Sequence, residues 1–441
     1  MMNSVLAYSA PANIDANKLA PVDRPVHRWY RFVLSFPPHL VRAYLDRFGV
    51  TADHCVLDPF CGTGTTVVEC KKLGIPSFGI EANPMALLAA QVKTDWRPDP
   101  DGLIEHASAV ARDVLQDLER DGIADDPLPL FQWPNAERTD CLRTLPPEQM
   151  KLLLTDSISP LPLHKTLVLL DHLQRRHDPD YAQHERLALA RALVDQIGNL
   201  HFGPEVGIGT IKSDAPVIAP WLDIVREIAV DLRQLSDHRT VPTVICKGDA
   251  RCVDAILEPA TIDAVITSPP YPNEKDYTRT TRLESVLLGL IRNKDDLRAL
   301  KRNLVRSNTR NVYKEDADDR WVASHPEIQR IAEEIEARRI ELGKDSGFER
   351  MYARVTKLYF GGMAQHLATL RPVLRPGAWL AYVVGDQASY LRVMIRTGQI
   401  LASIAQSLGY ELIGIDLFRT RLATATQEQL REEVVVLRWP G

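Results

Sequence analysis

Apolar and polar positions change their period several times along the chain, and each change marks an element. In "HCVLDPFCGTGTT" (54–66) a short apolar run ends in an acid, a proline and closely spaced glycines, which predicts a buried strand running into a tight turn. "SFGIEANP" (77–84) repeats the device, with a strand closed by Glu81 and Pro84. "VPTVICKGDA" (241–250) and "IDAVITSPP" (262–270) read as two further strands. Helical spacing comes between them. Leu40, Val41, Tyr44, Leu45 and Phe48 recur on one face after Pro37 and Pro38, and a helix is predicted from about Thr65 to Leu73. "MAQHLATLRPVLRPGAWLAYVVGD" (363–386) reads as helix, turn and strand, and "ELIGIDLFRT" with "EEVVVLRW" as a closing antiparallel pair. Strands alternating with helices imply an α/β fold with a mostly parallel sheet covered on both faces.

Two blocks break that alternation. Residues 95–240 carry helical patterns such as "GLIEHASAVARDVLQDLER" and "PWLDIVREIAVDLRQL", separated by the proline-rich breaks "DDPLPL" and "SPLPL". They read as a helical insertion for target recognition or scaffolding. Residues 275–350 form a second, basic helical insertion. The sheet-forming parts are then 27–94, 241–274 and 351–441, and residues 1–26 read as a flexible N-terminal arm. No internal repeat is visible.

Composition narrows the class. At 441 residues, 45% apolar and 25% charged, the chain is an ordinary globular protein larger than one average domain. A formal charge of −5 excludes a uniformly basic coat for nucleic acid but leaves room for local patches. The six cysteines form no CxxC pair and no zinc-finger spacing, so no metal is expected and the thiols read as reduced, as in the cytoplasm. There is no apolar run long enough to span a membrane and no convincing signal peptide.

The glycine turn admits few chemistries. A phosphate-gripping P-loop needs a Lys-Ser/Thr pair after its last glycine, and none follows Gly64. A dinucleotide fingerprint needs a third glycine where Val67 stands. What remains is a turn that brings bare backbone at Gly62 and Gly64 close to a ligand without a pyrophosphate. Asp58 can accept from an amino group or order a water, and Glu81 can accept two ribose hydroxyls. Asp249, after the third strand, can take an adenine amino group. A nucleoside with an amino-acid tail, S-adenosyl-L-methionine, satisfies this set.

"TSPPY" ends the fourth strand, which at the topological switch point lies beside the first. Alone it is a strand-ending turn. Beside a methyl donor it suits transfer to an exocyclic amine of a base, whose lone pair is delocalised into the ring. Ser268 and the Pro269 carbonyl can accept the amine's hydrogens, Pro270 stiffens the corner, and Tyr271 offers a stacking face. The base must first leave the duplex. Carbon-5 methylation of cytosine uses a cysteine after a proline, and the chain has no Pro-Cys pair.

Together "DPFCGTGTT", "IEANP", "GDA" and "TSPPY" resemble the S-adenosylmethionine-dependent DNA amino-methyltransferases of the cytosine-N4 and adenine-N6 type. "LSFPPHLV" (34–41) is similar to a segment of that family placed at the methionine end of the cofactor. The resemblance covers about 27–94, 241–275 and 355–439. It implies a Rossmann-like fold with a seven-stranded sheet and an antiparallel C-terminal pair, double-stranded DNA as substrate, and a restriction endonuclease or defence-system component as partner. Serine at the head of the turn is the commoner choice for cytosine-N4, which is favoured over adenine-N6. RNA base methylation, and an inactive nucleic-acid-binding protein of the same fold, are the alternatives. The matching positions for the cofactor are Asp58, Pro59, Phe60, Gly62, Gly64, Thr65, Glu81, Ala82, Asp249 and Ala250, and for the base Ser268, Pro269, Pro270 and Tyr271. The basic block after the turn, with Arg279, Arg282, Arg306, Asn308 and Arg310, is the expected DNA-contacting surface. His366 reads as a packing group, and Asp386 either lines the pocket or caps a turn.

Overall fold

The structure, a computed structural model, describes residues 19–30, 35–125, 142–202, 205–272, 276–422 and 429–441. Its strands are β1 (Val56–Asp58), β2 (Ser77–Glu81), β3 (Leu200–Phe202), β4 (Val206–Ile208), β5 (Thr243–Lys247), β6 (Ile262–Thr267), β7 (Leu374–Gly385), β8 (Glu411–Leu422) and β9 (Gln429–Arg438). Seven of them form one sheet in the order β5-β2-β1-β6-β7-β9-β8. β1 pairs in parallel with β2 and β6, with Val56 opposite Ser77 and Ala264. β2–β5 and β6–β7 are also parallel, whereas β9 runs antiparallel to both β7 and β8. This is the Rossmann-like arrangement expected from the alternating pattern. The chain moves outward from β1 through β2 to β5, then returns to β6 on the other side of β1. The carboxyl ends of β1 and β6 therefore flank a crevice, the place where open α/β sheets bind ligands.

Two-residue periodicity explains the layers. Leu57, Val265, Leu380 and Tyr382 face one way and pack with the helices Tyr352–Leu370 and Thr397–Ser407. Val56, Ala264, Ile266 and Ala381 face the other way, against Leu40, Val41, Tyr44 and Leu45 of the helix Pro38–Arg47. Both faces are covered, so β6 can be apolar nearly throughout.

The first insertion builds a core of its own. Helices Pro100–Arg120, Pro160–Arg175, Ala182–Ala192 and Ile218–Gln234 pack together and onto the helix Pro84–Thr94, which follows β2. One element departs from the helical reading of 95–240. β3 and β4 form an antiparallel hairpin, with Leu200 opposite Ile208.

The N-terminal arm also needs correction. Residues 1–18 lie outside the described part, but Asp23, Val26 and His27 are already buried. Val26 and Trp29 are buried, and their backbone N–H and indole Nε1 both donate to Asp231 Oδ2 at 3.0 and 2.7 Å. Asp23 accepts from Arg42 at 2.9 Å, and Arg42 also pairs with the buried Glu69. The folded body therefore begins before residue 27. Among the described residues, no helix is long and apolar enough to cross a membrane.

Candidate active site

A cleft of about 1030 Å³ opens at the carboxyl ends of β1 and β6. Its first wall is the turn after β1. Gly62 and Gly64 take φ of +53° and +89°, a backbone region that side chains with a Cβ rarely enter. Glu81, at the end of β2, ties that turn to the next element. Its Oε2 accepts the Gly62 N–H and its Oε1 the Asn83 N–H, both at 2.7 Å. Asn83 in turn caps the helix Pro84–Thr94 by accepting the Met85 N–H. Burial pushes the Glu81 carboxyl up to about 7, with the two backbone donors pulling the other way. Pro59, Phe60, Gly62 and Thr65 line the cleft from this side, as do Glu81 and Ala82.

Two residues expected at the ligand stand behind it instead. Asp58 is fully buried and does not line the cleft. It accepts the Phe60 N–H at 3.2 Å and the Thr267 hydroxyl at 2.6 Å, so it locks the end of β1 to the end of β6. Burial raises its pKa to about 6. Gly64 is also absent from the lining. A Cβ there would sit 3.2 Å from the Ala90 Cα, so the close approach it permits is of two helices rather than of a ligand.

Asp249 and Ala250 line the cleft at the end of β5. Asp249 is not an open carboxylate, because Arg251 Nε and Nη2 reach its oxygens at 2.6–3.1 Å. Arg251 also pairs with Asp318 at 2.6 Å, which links this corner to the second insertion. His366 supports the wall from below. Burial lowers its pKa to about 4, so the ring is neutral. Its Nδ1–H donates to the Ala250 carbonyl at 2.7 Å, Nε2 accepts from the Tyr382 hydroxyl at 2.6 Å, and Phe60 packs edge-on against it.

The opposite wall is the corner after β6, and Ser268, Pro269, Pro270 and Tyr271 all line it. Ser268 donates its hydroxyl hydrogen to the Val383 carbonyl at 3.1 Å. With that hydrogen engaged, its lone pairs are left to accept from a ligand. The Tyr271 ring lies directly over Gly385, at the end of β7. A Cβ at Gly385 would meet the ring's Cε2 at 2.7 Å and Cδ2 at 2.9 Å. Gly385→Ala is therefore expected to tilt the ring out of place. Turnover should fall by about tenfold, with thermal stability and donor affinity retained; unchanged turnover would show that the ring's position carries no weight.

The basic block does not present the surface that its composition promises. Arg306 is 2% exposed. Its guanidinium forks onto Asp316 at 2.7 Å through two nitrogens and donates to the carbonyls of Lys301 and Leu304. Arg282 is spent on the Thr278 hydroxyl and the carbonyls of Thr278 and Leu152. Both are internal struts and neither is placed for a phosphate. Arg279 is partly buried, with its Nε enclosed. Asn308 is buried but lines the cleft. Arg310 is exposed at the cleft, 3.7 Å from Glu205. Arg419 and Arg421, near the end of β8, line the cleft as well and went unread in the strand pattern. Their signal was the second charge in "FRTR"; Arg419 is held by Glu432 at 2.6 and 2.8 Å, while Arg421 stays more exposed. Asp386 is buried, paired with Arg396 at 2.6 Å and outside the cleft, so it serves the turn. From "LSFPPHLV", Leu34 lies outside the described residues, whereas Ser35 and Phe36 line the cleft.

The cleft thus joins a glycine turn and three strand ends to a proline-stiffened corner. Residues 21–92 match the N6/N4 family described as DNA methylase. The Type II methyltransferase M.BsoBI of Geobacillus stearothermophilus is 24% identical over 94% of this chain and 84% of its own. The Type II methyltransferase M.AvaI of Anabaena variabilis is 26% identical over 97% of this chain and 88% of its own. A shorter match, 30% identical over 24% of this chain and 30% of its own, is to the tRNA (guanine(10)-N2)-dimethyltransferase of Methanothermobacter thermautotrophicus. The motifs, the sheet order and these near-full-length relatives agree in likening the chain to the DNA amino-methyltransferases of the N4/N6 family.

Proposed function

We propose that this protein transfers a methyl group from S-adenosylmethionine to the exocyclic amine of a base flipped out of double-stranded DNA, with cytosine N4 as the favoured target. One observation carries the reading. The Gly62–Glu81 wall and the Ser268–Tyr271 corner line a single cleft of about 1030 Å³. That volume lies at the upper end of the about 300–1,000 Å³ typical of a ligand pocket, and both walls face it.

The residues present suit the donor. Glu81 offers lone pairs beyond those used by Gly62 and Asn83, a match for two ribose hydroxyls. Asp249, oriented by Arg251, offers an acceptor for an adenine amino group. Phe60 gives an apolar surface at the same wall. When bound, the donor supplies an electrophilic methyl on a sulfonium. The chain's own task is to prepare the amine. Ser268 accepts one amino hydrogen, because its own is committed to Val383. The Pro269 carbonyl accepts the other, and Tyr271 fixes the plane of the base by stacking. Both acceptors stabilise the positive charge that grows on nitrogen as it attacks. No covalent enzyme intermediate is required. At the mouth, Arg310 and Arg421 are the exposed cations positioned for backbone phosphates.

The ribose assignment predicts a pH dependence. Glu81 ionises around 7, and the carboxylate accepts two hydroxyls where the acid must give up one acceptor. Donor affinity is expected to rise about tenfold between about pH 6 and about pH 8, in step with the ionised fraction. Calorimetry should show that rise in the wild type and its absence in Glu81→Gln; a flat wild-type profile contradicts the assignment.

Nucleoside mass spectrometry tests the function itself. DNA incubated with the protein and a deuterated donor is expected to yield labelled N4-methylcytosine. Labelled N6-methyladenine alone would move the target to adenine. Label in tRNA but never in DNA would transfer the reading to RNA.

A further inference from the structure

We infer that the stretch Ser307–Asn311 of the second insertion is the edge-reading wall of the base pocket, with Asn308 donating to the ring nitrogen beside the reacting amine. The inference rests on the function proposed above and adds the group that selects the base.

Placement comes first. Ser307 through Asn311 line the same cleft as Ser268 and Tyr271. The wall is also firmly built. The buried Arg306 grips Asp316 and the carbonyls behind the stretch, and Asp316 Oδ2 additionally accepts the Tyr313 N–H at 2.7 Å. Just before it, Val305 packs on the helix Tyr352–Leu370, where a Cβ at Gly362 would come within 3.3 Å of it. A wall held this way presents its side chains with little freedom.

Within it, Asn308 is oriented by its own cap. Its Oδ1 accepts the Arg310 N–H at 3.0 Å, which assigns the two ends of the amide. The Nδ2 group is buried and has no partner among the described residues. The nearby Asn311 is likewise buried, with an unpartnered Oδ1. Buried amide groups are rarely left unpaired, so the Asn308 Nδ2, in a stretch that lines the cleft, is the donor left over for what the cleft holds.

Base chemistry supplies it. Beside the exocyclic amine of cytosine lies N3, and beside that of adenine lies N1; both are acceptors. Ser268 and Pro269 take the amine's hydrogens, so the adjoining position on the same edge requires a donor. Thymine and guanine carry a carbonyl where cytosine and adenine carry the amine, and an N–H beside it, where a second donor is repelled. One amide N–H thus admits cytosine or adenine and rejects the other two bases.

The test is Asn308→Asp, which keeps an oxygen for the Arg310 N–H and removes the donor. The rate of methyl transfer to DNA is expected to fall about 10–100-fold, with donor affinity unchanged and the variant still folded, as read by urea denaturation, at the assay temperature. A purely structural cap would leave the rate near wild type. The second arm uses a duplex whose target base, located by sequencing of methylated DNA, is replaced by its deaza analogue, with C–H in place of the ring nitrogen. Wild type should lose rate on this duplex, and Asn308→Asp should methylate it about as fast as it methylates the natural duplex. Wild-type-like transfer by Asn308→Asp, or fully additive losses, overturns the inference while the proposed function stands. A wild-type protein that methylates no DNA base overturns both.

Discussion

Ser268→Ala is expected to slow methyl transfer by about 10²–10³-fold while leaving donor affinity and stability as they are. A group aimed at charge that develops only in the transition state carries an effect of that size when it is removed. Ser268 meets the geometric requirement without rearrangement, since its hydroxyl already donates to Val383 on the neighbouring strand. The alanine variant loses one of two acceptors for the amine's hydrogens, and the growing charge on nitrogen then has a single partner. Single-turnover kinetics reads the chemical step, and calorimetry reads the donor. A loss confined to donor affinity would mean that Ser268 belongs to the cofactor wall instead.

Arg306→Ala should destabilise the protein by about 3–5 kcal/mol, the range for removing one partner of a buried ion pair. The cause lies in what is left behind. Asp316, partly buried, would lose the guanidinium that forks onto it, and the carbonyls of Lys301 and Leu304 would lose their shared donor. Denaturation in urea should show the loss, and the salt dependence of DNA binding by the folded variant should match wild type. A stable variant with a flattened salt dependence would return Arg306 to the DNA surface that its composition suggested.

That residue shows where sequence reasoning stops. The strands β1, β2, β5, β6 and β7 were legible because each is an apolar run closed by an acid, a glycine or a proline, and the alternation with helices set the parallel order. The turn and corner motifs were legible because both sit at strand ends, which the switch-point rule brings together. Asp58 illustrates the limit of that rule. Its strand-end position was readable, but its burial was not, because the hydroxyl that claims it belongs to Thr267, 209 residues later. The packed N-terminal segment depends on Asp231, 205 residues from Val26. The hairpin β3–β4 is three residues a side, too short for a period to register among helices. Within the basic block, one dense run of arginines divides into struts and surface groups according to whether an acid such as Asp316 folds back upon them, and composition carries no trace of that division.

The central claim is that one cleft holds the methyl donor against the corner that orients the amine. A crystal structure of the protein with S-adenosylhomocysteine and a target duplex tests it most directly. The account predicts the ribose on Glu81, the sulfur facing the Ser268–Pro269 corner, and an unpaired base stacked on Tyr271. The nucleoside bound away from Glu81, or the target base still paired within the duplex, would contradict it.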